Sequence, residues 1–303
     1  MSSKSIDLII ELFSKKHYEE ALDAIEELII DLSNDALLFN IRGACYAGLG
    51  ELKIAKENYE KAITLNPEYS KAYFNLGGTL HDLEEYDDSI ESYKKAIILE
   101  SDYAEAHNNL GNVYRESSQL EEAVESYEKA IQIRPDYVEA YYSLGTSFYE
   151  IGKLNDAVRC YEQAIEFRPD LTVALNNLGN ILRDLGRTDE AILNYEKAIS
   201  IDPNFVEVYF NIGTTFQELS QLDNAVKYYK KAIEIKPNYH EAHNNLGVAY
   251  KDLKEFDSAI QSYQMAIKIN SDYAEAHNNI GIVFKELGHL DAAVQSHETA
   301  LKI

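Results

Sequence analysis

The sequence predicts an all-α fold, a solenoid of antiparallel helix pairs, from three observations. They are a fixed 34-residue period, apolar residues at helical spacing inside each period, and a proline that recurs at one position. The five prolines, Pro67, Pro135, Pro169, Pro203 and Pro237, are separated by multiples of 34, with Ser101 and Ser271 filling the two gaps. Gly43, Gly77, Gly111, Gly145, Gly179, Gly213, Gly247 and Gly281 recur at the same interval without a miss. Self-similarity at this period marks a stacked array, in which each unit touches its neighbours and no single globular core forms.

Units start at Ala36, Ser70, Ala104, Val138, Thr172, Val206, His240 and Ala274, so eight fit in residues 36–303 as one continuous array with the last truncated. Residues 1–35 keep only the second half of the pattern, HYEEALDAIEELIIDLSND with Ala21 in the small slot, and are expected to form a degenerate capping unit. Within Ala104–Tyr137, Ala106, His107, Leu110, Gly111 and Tyr114 are spaced three and four apart, which predicts a first helix. The polar break Glu116–Gln119 follows. Leu120, Ala123, Val124, Tyr127, Ala130, Ile131 and Ile133 then predict a second helix that ends before Pro135, which cannot continue it. Gly111, Ala123 and Ala130 are small where the two helices must approach, while Tyr114, Tyr127 and Ile131 fill the remaining space. One hairpin cannot bury its apolar face alone, so stability must come from stacking.

A formal charge of −24 argues against nucleic acid, whose phosphates need clustered Lys and Arg, and against an anionic membrane. The opening MSSKSIDLIIELFSKK carries acidic residues inside its apolar run and does not read as a signal peptide. No apolar run approaches the roughly 20 residues needed to span a bilayer. Cys45 and Cys160 occupy different repeat positions, which suggests neither a disulfide nor a metal pair. A soluble, cytoplasmic protein without cofactor is expected.

The pattern A-x-A-H/Y-x-N-L-G-x-x-Y/F, then A-V/I-x-x-Y-x-x-A-I, then P, resembles the tetratricopeptide repeat over nearly the whole chain. Departures are few: Leu80 and Leu182 replace the first-helix aromatic, His297 replaces Tyr in the last second helix, and Lys56 follows Ala55. The resemblance implies a right-handed superhelix whose first helices line a concave surface where extended peptides lie.

On the first helix, Glu105, Asn108, Asn109, Asn112, Arg115 and Glu116 fall opposite the apolar residues, on a face expected to be free of core duties. The sixth position of the unit forms a column there: Asn75, Asn109, Ser143, Asn177, Asn211, Asn245 and Asn279, with Ile41 in the first full unit. Further amides, Asn108, Asn176, Asn244 and Asn278 at the fifth position and Asn112 and Asn180 at the ninth, lie nearby. An amide offers both donor and acceptor, so the column could grip the backbone of an extended peptide; it could equally bond a neighbouring helix. Acidic residues at the second and thirteenth positions, Glu105 and Glu116 among them, form one wall, and Arg115, Arg183, Lys251 and Lys285 a mildly basic edge. A basic or hydroxyl-rich partner is therefore expected.

In this family, clamping the acidic tail of a chaperone requires Lys at the fifth position, which here holds Asn40, Phe74, Asn108, Tyr142, Asn176, Phe210, Asn244 and Asn278. Such a clamp is not expected. His107, His243 and His277 occupy a packing position, no third ligand accompanies His240 and His243, and no catalytic motif departs from the repeat. The expected function is a non-catalytic scaffold for protein or peptide partners. The Asn column and its N-L-G context also resemble the repeat region of O-linked N-acetylglucosamine transferases, which implies a substrate-recruiting part of a protein-modifying enzyme as an alternative. The last unit ends in its second helix, so either further chain or self-association through this open C-terminal face is expected to cover it.

Overall fold

The computed structural model describes residues 2–29, 32 and 34–303; Met1, Ile30, Asp31 and Ser33, all in the expected capping unit, lie outside the described residues. Among the described residues every regular element is helical, and the chain forms two compact units, residues 1–167 and 168–303. The first contains α1 (Ser2–Ser14), α2 (Tyr18–Ile29), α3 (Ala36–Gly48), α4 (Leu52–Leu65), α5 (Ser70–Asp82), α6 (Tyr86–Leu99), α7 (Ala104–Glu116), α8 (Leu120–Ile133), α9 (Val138–Glu150) and α10 (Leu154–Phe167). The second contains α11 (Thr172–Asp184), α12 (Thr188–Ile201), α13 (Val206–Glu218), α14 (Leu222–Ile235), α15 (His240–Asp252), α16 (Phe256–Ile269), α17 (Ala274–Glu286) and α18 (Leu290–Lys302). Odd-numbered helices are the first helices of the pairs, even-numbered ones the second.

The turn inside each pair is tight because one residue adopts a left-handed conformation just past the first helix, the usual stop for an α-helix. Glycine takes that place at Gly50, Gly152, Gly186 and Gly288, but Glu84, Ser118, Ser220 and Lys254 also adopt φ of 62°, 62°, 58° and 64°. The turn between pairs is extended instead: Arg134 before Pro135 has φ −124° and ψ 95°, a conformation proline favours, and Glu100 and Asn270 adopt it before Ser101 and Ser271 as well.

Each pair from α3–α4 to α15–α16 closes around a tyrosine. Tyr59, Tyr93, Tyr127, Tyr161, Tyr195, Tyr229 and Tyr263 are at most 2% exposed. Their rings lie on the glycine column of the first helices: a Cβ at Gly111 would come within 2.7 Å of Tyr127, and one at Gly179 within 2.5 Å of Tyr195. The glycine period thus records how closely a ring approaches a helix backbone. In the last pair the ring facing Gly281 is that of His297.

Candidate functional site

The sixth-position amides follow two alternating patterns, set by the fifth position of the preceding unit. Where that residue is Asn, the sixth-position Asn donates to it: Asn75 Nδ2 to Asn40 Oδ1 at 3.0 Å, Asn211 to Asn176 at 2.9 Å and Asn279 to Asn244 at 3.0 Å. Where it is Phe74 or Phe210, the following Asn109 or Asn245 meets the hydroxyl of Tyr93 or Tyr229 instead. Asn109 and Asn245 also accept from their chain neighbours Asn108 and Asn244, at 3.2 and 3.3 Å, and Asn177 accepts from Asn176 at 3.4 Å. The aromatic fifth positions pack rather than bond, with Phe74 stacked 4.8 Å from Tyr103 and Phe210 lying 5.2 Å from Tyr239.

The face is therefore not free of core duties. Asn108 and Asn244 are 5% and 0% exposed, because an amide that bonds sideways to its neighbours must sit in the interface between them. Asn108 exposes a gap in the pattern. Its Oδ1 should receive the amide of the next sixth position, but Ser143 stands there and bonds Tyr127 instead, leaving that buried oxygen without a partner. Asn278 is exposed and accepts from His297 Nδ1 at 3.0 Å.

The ninth-position amides belong to the interior of each pair. Tyr127 donates its hydroxyl to Asn112 Oδ1 at 2.8 Å, and Tyr195 donates to Asn180 Oδ1 at 2.7 Å. Thr146 and Thr214, which sequence reasoning passes over, stand in the same place 2.9 Å from the Tyr161 hydroxyl and 3.3 Å from that of Tyr229, whose nearer acceptor is Gln217 Oε1 at 2.8 Å. The signal was available as amide or hydroxyl residues fifteen before Tyr127, Tyr161, Tyr195 and Tyr229. Ala44, Gly78 and Val248 hold that place before Tyr59, Tyr93 and Tyr263, and the Tyr263 hydroxyl is buried without a partner.

The two charged flanks join across units. His81 Nε2 lies 2.8 Å from Glu116, Arg115 Nη1 lies 3.2 Å from Glu150, and Arg183 Nε lies 3.9 Å from Glu218. Each pairing links the twelfth position of one unit to the thirteenth of the next. Glu105 pairs with Arg134 of its own unit, which holds its carboxyl below the usual range against an opposing effect of burial. Glu275 accepts from Asn244 Nδ2 at 3.0 Å. These pairs are partly exposed and individually worth about 0–1 kcal/mol.

The fourth position closes the preceding turn. His243 Nε2 lies 3.0 Å from Pro237 O and His277 Nε2 lies 3.0 Å from Ser271 O, while Tyr209 donates its hydroxyl to Pro203 O at 3.2 Å. Burial holds His107 below its ordinary pKa. It also pushes the Cys45 thiol up to about 11 and that of Cys160 up to about 12, so neither is a ready nucleophile. Among the described residues no group of three or more His, Cys, Asp or Glu could hold a metal ion, and no helix is long and apolar enough to cross a membrane.

Comparison with known proteins agrees with this geometry. The chain is 34% identical over 80 residues to Hsp70-Hsp90 organizing protein 1 of Glycine max and 33% identical over 78 residues to Hsp70-Hsp90 organizing protein 3 of Arabidopsis thaliana. Each match covers 26% of this chain and only 14% of the relative's length. Among solved structures, YrrB, described as a TPR protein with an unusual peptide-binding site, matches at 28% identity and a TM-score of 0.55 over 62% of this chain and 96% of its own. MamA matches at 31% identity and a TM-score of 0.52 over 54% of this chain and 95% of its own. The C-terminal part of a TPR repeat-containing protein from Cytophaga hutchinsonii, 19% identical, shares the fold with a TM-score of 0.67 over 79% of this chain and 98% of its own. Models described as TPR repeat match residues 77–116, 111–152, 179–220, 216–254 and 249–288. Those described as tetratricopeptide repeat match 37–69, 58–91, 138–171, 160–192 and 274–303. With helix pairs, glycine–tyrosine contacts and family models all in one register, the chain belongs to the tetratricopeptide repeat family.

Proposed function

We propose that the chain is a protein-interaction scaffold that holds an extended polypeptide segment across its first helices, along the sixth-position amides. The observation that carries this reading is how those amides are held. Asn75, Asn109, Asn211, Asn245 and Asn279 are half-buried, and internal bonds use one or two of the four hydrogen-bonding positions of each side chain. An amide already fixed by its neighbours loses little further freedom when a ligand backbone adds to it. Such pairing reads the main chain and not side chains, so it selects for extension more than for sequence. Cross-unit pairing of Glu116, Glu150 and Glu218 weakens the acidic field and favours a hydroxyl-rich segment over a basic one. Similarity to YrrB and to the Hsp70-Hsp90 organizing proteins supports a peptide or protein as the partner.

The test is an array of Ser- and Thr-rich peptides probed with the wild-type chain and with a variant carrying Asn109→Ala, Asn177→Ala and Asn245→Ala, alongside thermal unfolding. Binding is expected to weaken at least about tenfold, with a lower Tm from the lost internal bonds. A variant that melts earlier yet binds its peptides unchanged leaves these amides a stacking role alone.

A further inference from the structure

A second surface lies on the opposite helices. Between α12 and α14 a groove of about 410 Å³ is floored by Ile199, Tyr209 and Tyr228 and rimmed by Lys227, Lys230, Lys231 and Glu234. Lys231 pairs with Glu234 at 2.9 Å. Lys227 and Lys230 have no carboxylate at ion-pair distance among the described residues; their ammonium groups lie 5.4 Å from the ring centroids of Tyr228 and Tyr250. In a chain with 52 acidic and 28 basic residues, two lysines without a carboxylate partner beside an aromatic floor need a reason.

Packing supplies part of it: Lys230 over Tyr250 repeats Lys94 over Tyr114 at 5.6 Å, and Tyr228 stacks on Phe216, which leaves the charge that Lys227 and Lys230 bring to the groove rim. Three units earlier the same groove, between α6 and α8, has Glu125, Ser126 and Glu128 where this one has Lys227, Tyr228 and Lys230. Ser92, Ser126, Ser262 and Ser296 all hold the place of Tyr228 in other units, each bonding the carbonyl four residues earlier on its own helix at 2.8 Å. Asn58, Cys160 and Asn194 hold it in three more units, all smaller than the ring that α14 carries there, which stacks 5.5 Å from Phe216. Glu196 on α12 is the acidic group that faces this ring.

We propose that this groove docks an acidic segment of a partner polypeptide, with one aromatic side chain seated on Tyr209 and Tyr228 between Lys227 and Lys230. The lysines supply charge for carboxylates, and the floor supplies aromatic contact for the seated ring. A short acidic segment meets only the local charge, because screening confines the field to about 8 Å at physiological salt. A membrane, a nucleic acid or a second copy of this chain presents an extended anionic surface that would meet more of the 52 acidic residues than the groove alone and be repelled.

The probe is the end-blocked peptide Glu-Glu-Phe-Glu-Glu, fluorescently labelled and titrated with the full chain by anisotropy, with Lys-Lys-Phe-Lys-Lys as control. The acidic peptide is expected to bind and the basic one not, with affinity falling as salt rises. Lys227→Glu with Lys230→Glu, and separately Tyr228→Ser, restore residues that other units carry and should fold normally by circular dichroism. Each is expected to weaken binding at least about tenfold. The Asn109, Asn177 and Asn245 variant should bind this peptide unchanged, which separates this groove from the amide column. Glu125→Lys, Ser126→Tyr and Glu128→Lys together should create a second site. Binding that survives both α14 variants overturns the proposal. So does absence of peptide binding, whether or not phosphatidylserine vesicles bind or a dimer sensitive to Lys230→Glu appears in sedimentation.

Discussion

The residue that separates two readings of the amide column is Ser143. Elsewhere an Asn that follows an Asn-bearing unit bonds it across the interface, and only Asn108 is left with a buried oxygen unmatched. Changing Ser143→Asn supplies the missing donor, and Asn109 and Asn245 show that an amide at this position also reaches the tyrosine hydroxyl. The variant is expected to be more stable by about 1 kcal/mol, measured by urea denaturation at unchanged m-value. A neutral or destabilising result would mean that the Asn108 oxygen already has what it needs.

At the scale of the helix, the turns carry the clearest strain. Ser220 sits at φ 58° where the corresponding residue of the preceding unit is Gly186 at 76°. An L-residue in this region costs roughly 1–2 kcal/mol, and glycine gives part of that back as unfolded-chain entropy. Ser220→Gly should therefore raise stability by about 0.5–1 kcal/mol. Adding Glu84→Gly, Ser118→Gly and Lys254→Gly should raise the urea midpoint stepwise, since the turns share no partners.

The helices were legible in the sequence because burial repeats. Ala106, Leu110, Gly111, Tyr114, Ala123 and Tyr127 each answer a packing demand that every unit makes again, and α7 and α8 fall where their spacing put them. The partners of the amides were not legible. The partner of Asn75 is an amide 35 positions earlier and that of Asn109 a tyrosine 16 positions earlier, and an amide reads the same in both. The turn strain at Glu84 and Lys254 was hidden for a related reason: these positions are exposed, so apolar periodicity says nothing of them. Lys227 and Tyr228 went unnoticed because they break the period, and a search for recurrence looks past its exceptions.

Over the whole molecule the buried tyrosines act together. Burial pushes the Tyr127 phenol up to about 12, against hydrogen bonds and a nearby Arg115 that pull it down, and Tyr59, Tyr93, Tyr195, Tyr229 and Tyr263 are raised by the same cause. A phenol whose pKa is higher folded than unfolded favours the folded state fully below its unfolded value of 10.0, and that contribution is lost as pH rises through the folded value. Stability should therefore be flat toward neutrality on this account and fall steeply above about pH 10. Tyrosinate absorbance should grow in two stages, the second coinciding with loss of helical circular dichroism. Smooth titration of all tyrosines with helicity intact would contradict that coupling.

The same column makes the protein its own optical probe. The chain has no tryptophan, so its ultraviolet emission comes from tyrosine alone. The pairs from α3–α4 to α15–α16 each carry one such chromophore at the same place against the same glycine, and the pair α17–α18 carries His297 there, which is dark. Each of those seven pairs thus carries a matched internal emitter, and fraying that begins at α18 would start from a pair whose centre does not emit.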